Sequence, residues 1–513
     1  MSDLEKSVIA DTSITPKKVS TDSFNTDEQI GTAEISEKVG FWGRVAANLQ
    51  PETKGIELVT DEEKTDDSIM NAATMWLSAN LVIATFSLGA LGITVFGISF
   101  WQSVLCIIFF SIIGVFPVAF FSIFGPKLGL RQMYLSKFLV GNYAMRIFAF
   151  INMIACVGWG AVNIMSSAQL LNIVNNGKLP PWAGCLILIL LTILVTFFGY
   201  HVIHMYEKWS WIPNAAVFIA IIARTAKADV FTAGHMTGGQ TTAGGVLSFG
   251  GAIYGFATGW TTYASDYTVY QPRNANCYKI FIGIFFGLWT PLVFTMILGA
   301  ACATGTLTND TWAQLYKEKS IGGLVYAILV QDSLHGFGEF LCVILALSTV
   351  ANNIPNMYSI ALSAQALWSK FSRIPRILWT IAGNFVTLAI AIPAFYHFET
   401  VMENFMNLIG YYLAIYQSIS LSEHFIYNKG DFSKYDYENI LDKNSYPVGY
   451  AGIVGFVFGA GGVVLGMNQV WYAGVLAKKI GEFGGDIGFE MGFAFAFIGY
   501  NLARPLEKKY IGR

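Results

Sequence analysis

A short segment of the chain places several polar residues and a proline inside an otherwise apolar run. Residues 346–358 read ALSTVANNIPNMY and contain Asn352, Asn353, Pro355 and Asn356. Because an unpaired carboxamide is costly in hydrocarbon, this cluster implies a polar ligand, water or partner helices. Pro355 removes a helix hydrogen bond, and it predicts a kink that turns Asn352 and Asn356 inward.

Two tryptophans lie in the middle of other apolar runs. Trp159 and Asn163 are four residues apart in CVGWGAVN and therefore share one helix face, while Trp260 follows the glycines of SFGGAIYGFATGW. Indole faces stack on planar heteroaromatic rings, at about 1–3 kcal/mol per base in nucleic-acid complexes. Carboxamides such as Asn163 and Asn356 offer both a donor and an acceptor to the edge of such a ring. These residues predict a nucleobase-like ligand, with interfacial anchoring or packing as the alternative role for the tryptophans.

The composition identifies the elements that position these residues. The 513 residues are 54% hydrophobic and 12% charged, with a mean hydropathy of +0.52, which leaves too little charge for a soluble surface. Apolar runs that meet the length of about 20 residues needed to span a bilayer occur about twelve times after residue 70. The sequence therefore predicts an all-α integral membrane protein that contacts the lipid bilayer. A formal charge of −2 indicates no nucleic-acid surface, and nothing predicts a metal or a cofactor.

Glycines interrupt two of the predicted spans. Residues 71–97 contain Gly89 and Gly92, and residues 245–264 contain Gly250, Gly251, Gly255 and Gly259. Unwound backbone in two helices five spans apart is typical of inverted-repeat transporters, so we expect the first and sixth spans to be discontinuous. Close helix packing through small residues is the alternative interpretation.

A proton-coupled transporter requires an ionisable side chain at membrane depth. Glu207, at the start of the predicted span over residues 209–226, is the first candidate for proton coupling. His204 and Asp266 are the alternates. Glu207 could instead form an ion pair or cap the start of its helix.

Longer matching segments show a family resemblance. They include NLQPETKGIE, CVGWGAVN, VTFFGYHVIHMYEKWSWIPN, GWTTYASDYTVY, ALSTVANNIPNMYSIALSAQALW and GGDIGFE. From about residue 50 onward the chain resembles the fungal purine-cytosine permeases of the nucleobase-cation symporter-1 family. The resemblance implies a leucine-transporter-like core of two inverted five-helix repeats, followed by two additional C-terminal helices. It also implies import of adenine, guanine, hypoxanthine and cytosine by proton symport, through alternating access.

The resemblance also implies roles for particular residues. Trp159 and Trp260 would sandwich the base, and the amides of the third and eighth helices correspond to Asn163, Asn352 and Asn356. Ser78 corresponds to the serine of the first helix. Sodium-coupled relatives carry two hydroxyl residues where this chain has Val350 and Ala351, which favours the proton as the coupling ion, although Ser348 and Thr349 leave a shifted sodium site open.

The predicted organisation has five parts. Residues 1–70 are polar and predict a disordered cytoplasmic tail, with no signal peptide. The other parts are a transporter core over 71–426, a cytoplasmic loop over 427–446, two additional spans over 447–503 and a cytoplasmic C-terminal tail over 504–513. Loops assigned to the inside carry roughly twice as many Lys and Arg as those outside, which favours cytoplasmic termini. The expected location is the plasma membrane.

Other classes of protein fit less well. No GxSxG, HExxH or phosphate-loop motif occurs, so the sequence does not predict an enzyme. A channel would show a continuous polar stripe, whereas the polar residues concentrate on four spans. A permease for another planar heterocycle, such as vitamin B6, thiamine, allantoin or uracil, is the main alternative. The oligomeric state stays open.

Overall fold

The computed structural model describes residues 55–66, 68–197, 200–368 and 370–513, without the side chains of residues 197, 200–207 and 372. This part of the chain is almost entirely helical, with one two-stranded antiparallel ribbon that pairs Asn468–Gln469 with Tyr472–Ala473. The helices in chain order are α1 (Ile69–Asn80), α2 (Ile83–Thr94), α3 (Phe100–Phe121), α4 (Phe124–Leu128), α5 (Gln132–Val140), α6 (Asn142–Val174), α7 (Pro181–Phe197), α8 (Tyr200–Ala228), α9 (Gln240–Thr258), α10 (Cys277–Thr304), α11 (Asp310–Leu329), α12 (Gly336–Leu367), α13 (Arg376–Ala394), α14 (Phe398–Ser422), α15 (Tyr450–Gly466) and α16 (Gly488–Ile511).

The helical bundle has an apolar exterior and a partly polar interior. Among the described residues, five helical stretches are long and apolar enough to cross a bilayer, and the bent pair α1 and α2 makes a sixth. Phe150 and Ile154 of α6 are more than half exposed, whereas Asn163 further along the same helix is fully buried. Apolar side chains outside and carboxamides inside are the arrangement that a hydrocarbon surrounding favours. The chain is therefore an all-α, multi-pass membrane protein.

The first span is discontinuous, but its break does not lie at the glycines. Helix α1 ends at Asn80 and α2 begins at Ile83, with a bend of 54° between the two helices. Gly89 lies inside α2, where a Cβ atom would collide with the carbonyl oxygen of Met296 in α10. The expectation that glycines unwind this span was wrong, because close contact between α2 and α10 requires Gly89 instead.

The sixth span changes from an α-helix to a 3₁₀ helix along its length. Helix α9 ends at Thr258 and continues as a 3₁₀ segment, Gly259–Tyr267, in which Tyr263 departs from helical dihedral angles. Gly255 packs against the backbone of α14, where a Cβ atom would collide with the carbonyl oxygen of Met406. Only Gly259 lies at the transition itself. A 3₁₀ stretch within a longer helix often marks a functional hinge.

The segment before α1 is folded where it is described. Val59 is buried and its amide donates to the carbonyl of Gly129 at 2.9 Å, while Lys64 donates to the carbonyl of Pro126 at 2.9 Å. The predicted disordered tail over residues 1–70 is therefore wrong for its last part. Residues 1–54 lie outside the described residues.

A buried ion pair ties α16 to the end of α14. The Arg504 guanidinium donates to both carboxylate oxygens of Glu423, at 2.8 and 2.9 Å, and both side chains are about 3% exposed. Arg504 also contacts Glu507, which accepts from the amides of Gly449 and Tyr450 at the start of α15. Three helices thus meet at one charged cluster.

We expect Glu423→Gln to destabilise the protein strongly. The substitution leaves Arg504 paired with Glu507 alone, and breaking a buried pair costs up to about 3–5 kcal/mol. Thermal unfolding of the purified protein measures this loss, and Glu482→Gln, at an exposed carboxylate, is the matched control. The double variant Glu423→Met with Arg504→Met should recover part of the loss, because apolar side chains often replace a buried pair without cost, while Glu507 loses its cation but keeps its bonds to the amides of Gly449 and Tyr450. Equal stability of Glu423→Gln and wild type would contradict this account.

Candidate functional site

Two buried tryptophans face each other near the discontinuous helices. The rings of Trp159 on α6 and Trp260 on the 3₁₀ segment are nearly parallel, with an interplanar angle of 18° and centroids 6.3 Å apart. Both residues are 2% exposed. Two van der Waals contacts of about 3.5 Å each require about 7 Å between the rings for a sandwiched heterocycle. The observed separation is therefore slightly short of that needed to hold a planar ring.

The surroundings of the two rings differ. Trp159 lies on a continuous helix and packs edge-on against Phe256 and Phe405. A Cβ atom at Gly259 would come within 2.5 Å of the Trp159 ring, so the glycine at the helix transition also makes room for the indole. The indole N–H of Trp159 is buried and donates to no atom of the described structure.

Trp260 is attached to the first half of the broken span. Its indole N–H donates to Oδ1 of Asn80 at 3.2 Å, and its ring lies 5.0 Å from that of Trp76. Asn80 is the last residue of α1, and its own amide donates to the carbonyl of Trp76 at 2.8 Å. Movement of Trp260 is thereby coupled to α1.

Asn163 connects α6 to the amide cluster of α12. Its Nδ2 donates to Oδ1 of Asn352 at 2.6 Å and to Oδ1 of Asn353 at 2.9 Å. Its own Oδ1 is buried and accepts from no group in the described structure. Trp159 and Asn163 thus leave one donor and one acceptor unused on successive turns of one helix, and Oδ1 of Asn163 is an acceptor available to the edge of a polar ligand.

Side chains of α12 satisfy the backbone that the first break exposes. Nδ2 of Asn352 donates to the carbonyl of Ala79 at 2.5 Å, and the amide of Ile83 donates to Oγ of Ser348 at 3.2 Å. A buried helix end needs such partners because its terminal amides and carbonyls lack intrahelical ones. Thr349 shares a hydrogen bond of 2.8 Å with Ser167 of α6. Both hydroxyls of the possible shifted sodium site are therefore engaged with protein groups.

Both the oxygen and the nitrogen of the Asn356 side-chain amide form hydrogen bonds. Its Oδ1 accepts from the Tyr263 hydroxyl at 2.8 Å, and its Nδ2 donates to the carbonyl of Asn352 at 3.0 Å. Helix α12 continues through Pro355 to Leu367, and Asn352 and Asn356 are both fully buried. Their spacing of one turn is sufficient to place them on the same face, so the kink at Pro355 stays a prediction.

Ser78 lies one turn before the break but forms a contact away from the tryptophans. Its hydroxyl is buried and shares a hydrogen bond of 2.5 Å with that of Ser210 on α8. This contact joins α1 to α8. A direct role of Ser78 toward a ligand is a prediction that this geometry does not require.

The three candidates for proton coupling are placed differently. Asp266 is buried, and its carboxylate accepts from the amide of Gln132 at 2.7 Å while its carbonyl accepts from Arg131 at 2.6 Å. It therefore anchors the 3₁₀ segment to the start of α5. The side chains of His204 and Glu207 lie outside the described residues. Helix α8 begins at Tyr200, before the predicted position, so Glu207 does not cap the start of its helix.

Four residues that hold this site were assigned no site role from the sequence. They are Trp76, Asn80, Tyr263 and Asn353, which hold Trp260, Asn356 and Asn163. Asn80 carries a usable signal, because a carboxamide inside a span needs a partner in the same way as Asn352. Trp76 and Tyr263 have no such signal, since an aromatic residue in a membrane helix is unremarkable by itself.

The site is buried in an apolar bundle, and it combines two facing indoles with an unused amide oxygen at two helix discontinuities. This arrangement defines a membrane transporter rather than an enzyme. Residues 58–484 match the family described as permeases for cytosine/purines, uracil, thiamine and allantoin. The chain belongs to this family.

Named relatives agree with that assignment. The Saccharomyces cerevisiae purine-cytosine permease FCY2 is 59% identical, over 95% of this chain and 92% of its own length. The purine-cytosine permease FCY21 of the same organism is 57% identical, over 97% and 94%. Among solved structures, the nucleobase-cation-symport-1 transporter Mhp1, closed with bromovinylhydantoin bound, superposes with a TM-score of 0.69. Its sequence is 14% identical, and the match covers 90% of this chain and 96% of Mhp1, so it supports the fold alone.

Proposed function

We propose that this permease imports adenine, guanine, hypoxanthine and cytosine across the plasma membrane by proton symport. The near-parallel rings of Trp159 and Trp260 carry the proposal, because two facing indoles select a planar ring. The unused Oδ1 of Asn163, one helical turn from Trp159, then accepts from the base edge. FCY2 and FCY21 are named purine-cytosine permeases, which supports a purine or cytosine over the family's other heterocycles.

Loading a base requires the two rings to separate by roughly 1 Å, given the contact distances of about 3.5 Å on each face. Trp260 is the ring that moves, since it lies on the 3₁₀ segment while Trp159 lies within a long continuous helix. The hydrogen bond between Trp260 and Asn80 transmits this movement to α1. Substrate binding in the aromatic site thereby biases the position of the broken first span, as alternating access requires.

The proposal includes a topology of twelve spans with both termini in the cytoplasm. The broken span of α1 and α2, together with α9 and its 3₁₀ segment, corresponds to the first and sixth spans of two inverted five-helix repeats. Helices α15 and α16 are the two additional spans. The bias of Lys and Arg toward one set of loops supports this orientation. Protease accessibility of tags at the two termini tests it.

Uptake measurements test the function directly. The experiment compares labelled cytosine and adenine uptake by yeast lacking its own nucleobase permeases, with and without this chain. We expect saturable uptake that a protonophore abolishes and that adenine, guanine and hypoxanthine block. Uracil, allantoin and pyridoxine should compete weakly. Surface expression without cytosine or adenine uptake would overturn the purine-cytosine assignment in favour of another heterocycle on the same scaffold.

We expect Glu207→Gln to abolish proton-driven accumulation of base while leaving equilibrium exchange in place. A carboxylate within a span that binds and releases the proton cannot be replaced by a neutral amide. The measurement compares concentrative uptake with exchange in preloaded vesicles, and Glu482→Gln, at an exposed carboxylate, is the control. Full accumulation by the Glu207 variant would exclude this residue, and Asp266→Asn and His204→Gln would then be compared in the same assay.

A further inference from the structure

A cavity lies beside the start of α6 and the end of α12. Its volume is about 470 Å³, and it is enclosed by the segment before α1, by α5 and by the loop over residues 427–446. Its wall carries the cations Lys137, Arg146 and Lys443 and the apolar side chains of Leu367 and Ile440. The proposed substrate site uses none of these residues.

Lys137 is a buried cation without an anionic partner in the described structure. It is 9% exposed, and it makes neither an ion pair nor a hydrogen bond with the described residues. Its ammonium lies 3.7 Å from the ring centroid of Tyr134 and 5.2 Å from that of Tyr446. Aromatic faces compensate a buried ammonium only in part. Burial, with a smaller contribution from Arg146, lowers the pKa of Lys137 to about 8.

The other charges on the cavity wall leave Lys137 uncompensated. Arg146 lies over the ring of Tyr143 at 5.9 Å and, like Lys443, forms no ion pair within the described residues. The two carboxylates on the wall, Glu57 and Glu438, are both exposed, and Glu57 accepts from the amide of Gly55 at 2.5 Å. The wall therefore carries three cations and two solvated carboxylates. Of these five charged residues, Lys137 is the buried one.

Exposed aromatic side chains place this cavity at the membrane surface. Tyr143 and Tyr450, whose rings lie 5.7 Å apart, and Trp368 at the end of α12 are each 43–53% exposed. Exposed tyrosine and tryptophan at helix ends mark the level of the lipid headgroups. Anionic lipid headgroups lie at this level, and basic pockets between helices on the cytoplasmic side bind such headgroups.

We propose that the cavity binds the phosphate of an anionic phospholipid, with Lys137 as the buried cation and Arg146 and Lys443 at its mouth. The apolar side chains of Leu367 and Ile440 contact the glycerol backbone of the lipid and the first carbons of its acyl chains. The bound headgroup bridges α5, α6, α12 and the 427–446 loop. Since a ligand that binds only the folded state stabilises it, anionic lipid raises the unfolding temperature of the whole transporter.

The test uses the purified full-length protein in mild detergent. Unfolding temperature and lipid retention in native mass spectrometry are measured with phosphatidylserine, phosphatidylinositol and phosphatidylcholine, and with inorganic phosphate and glycerol phosphate as soluble probes. We expect stabilisation and retention with the two anionic lipids and little with phosphatidylcholine. Lys137→Gln and Arg146→Gln should each weaken binding by roughly fivefold, the effect of one cation at a membrane surface. Lys434→Gln, an exposed lysine outside the cavity, is the matched control.

Several outcomes would overturn the proposal. One is equal stabilisation by phosphatidylcholine, and another is an unchanged response in both the Lys137 and the Arg146 variants. Arg146 is exposed, so its variant should fold even where Lys137→Gln does not. Stabilisation by glycerol phosphate without retention of any lipid would assign the cavity to a soluble phosphate instead. The readouts are independent of transport, so a failure of the proposed substrate would not affect them.

Discussion

We expect Trp159→Ala to abolish base uptake while the protein still reaches the cell surface. The indole forms one of the two facing rings, and a base stack is worth about 1–3 kcal/mol, which corresponds to roughly a 5- to 150-fold loss of affinity. Loss of this wall also leaves Trp260 without an opposing ring at 6.3 Å. The expected loss therefore lies at the upper end of that range, beyond detection in ordinary uptake assays.

Two comparison variants separate stacking from packing. Trp159→Phe keeps a planar but smaller ring and should retain measurable uptake with raised KM. Trp182→Ala removes a tryptophan that is 54% exposed at the start of α7, and it should leave uptake unchanged. Surface abundance is measured for all three variants by cell-surface labelling. Normal uptake by Trp159→Ala would remove stacking on this ring from the mechanism.

The parts of the site that the sequence could predict are those where polar residues lie inside apolar segments. The spacing of Trp159 and Asn163 predicts a shared helix face, and the structure leaves one hydrogen-bonding atom of each unused. The cluster around Asn352 predicts partner helices, and Asn352 contacts both α1 and α6. In each case the cost of a buried unpaired amide makes a single sequence informative.

The positions of the helix breaks could not be anticipated in the same way. Glycine suggests backbone freedom, yet Gly89 and Gly255 serve close helix packing. The first break follows Asn80, where no glycine or proline occurs. Its stability comes from Asn352 and Ser348, which lie more than 250 residues later and satisfy the exposed backbone. A local pattern contains no information about such distant partners.

The hydrogen bonds of the buried asparagines change the roles expected for Asn163 and Asn356. The sequence predicts that Asn163 and Asn356 both read the base edge. In the structure Asn356 uses both ends of its amide on Tyr263 and Asn352, whereas Oδ1 of Asn163 is unused. We therefore propose that Asn356 is a positioning residue that fixes Tyr263 and α12, and that Asn163 discriminates among bases.

Asn163→Ala should both weaken transport and change the order in which competing bases inhibit it. Losing a hydrogen bond to a buried polar group costs about 1–3 kcal/mol, or roughly 5- to 150-fold in affinity, and the cost differs between bases whose edges differ in donors and acceptors. Inhibition constants for adenine, guanine, hypoxanthine and cytosine against labelled cytosine measure both effects. Since Asn163 also donates to Asn352 and Asn353, the weakening alone is not diagnostic.

Asn353→Ala supplies the matched control, because it removes one partner of Asn163 and leaves Oδ1 of Asn163 in place. We expect Asn353→Ala and Asn356→Ala to lower uptake of all bases by similar factors, with the inhibition order of wild type. A changed order only in the Asn163 variant assigns edge recognition to this amide. If all three variants kept the wild-type order, the amide cluster would serve to hold α1, α6 and α12 together, and Oδ1 of Asn163 would not select the base.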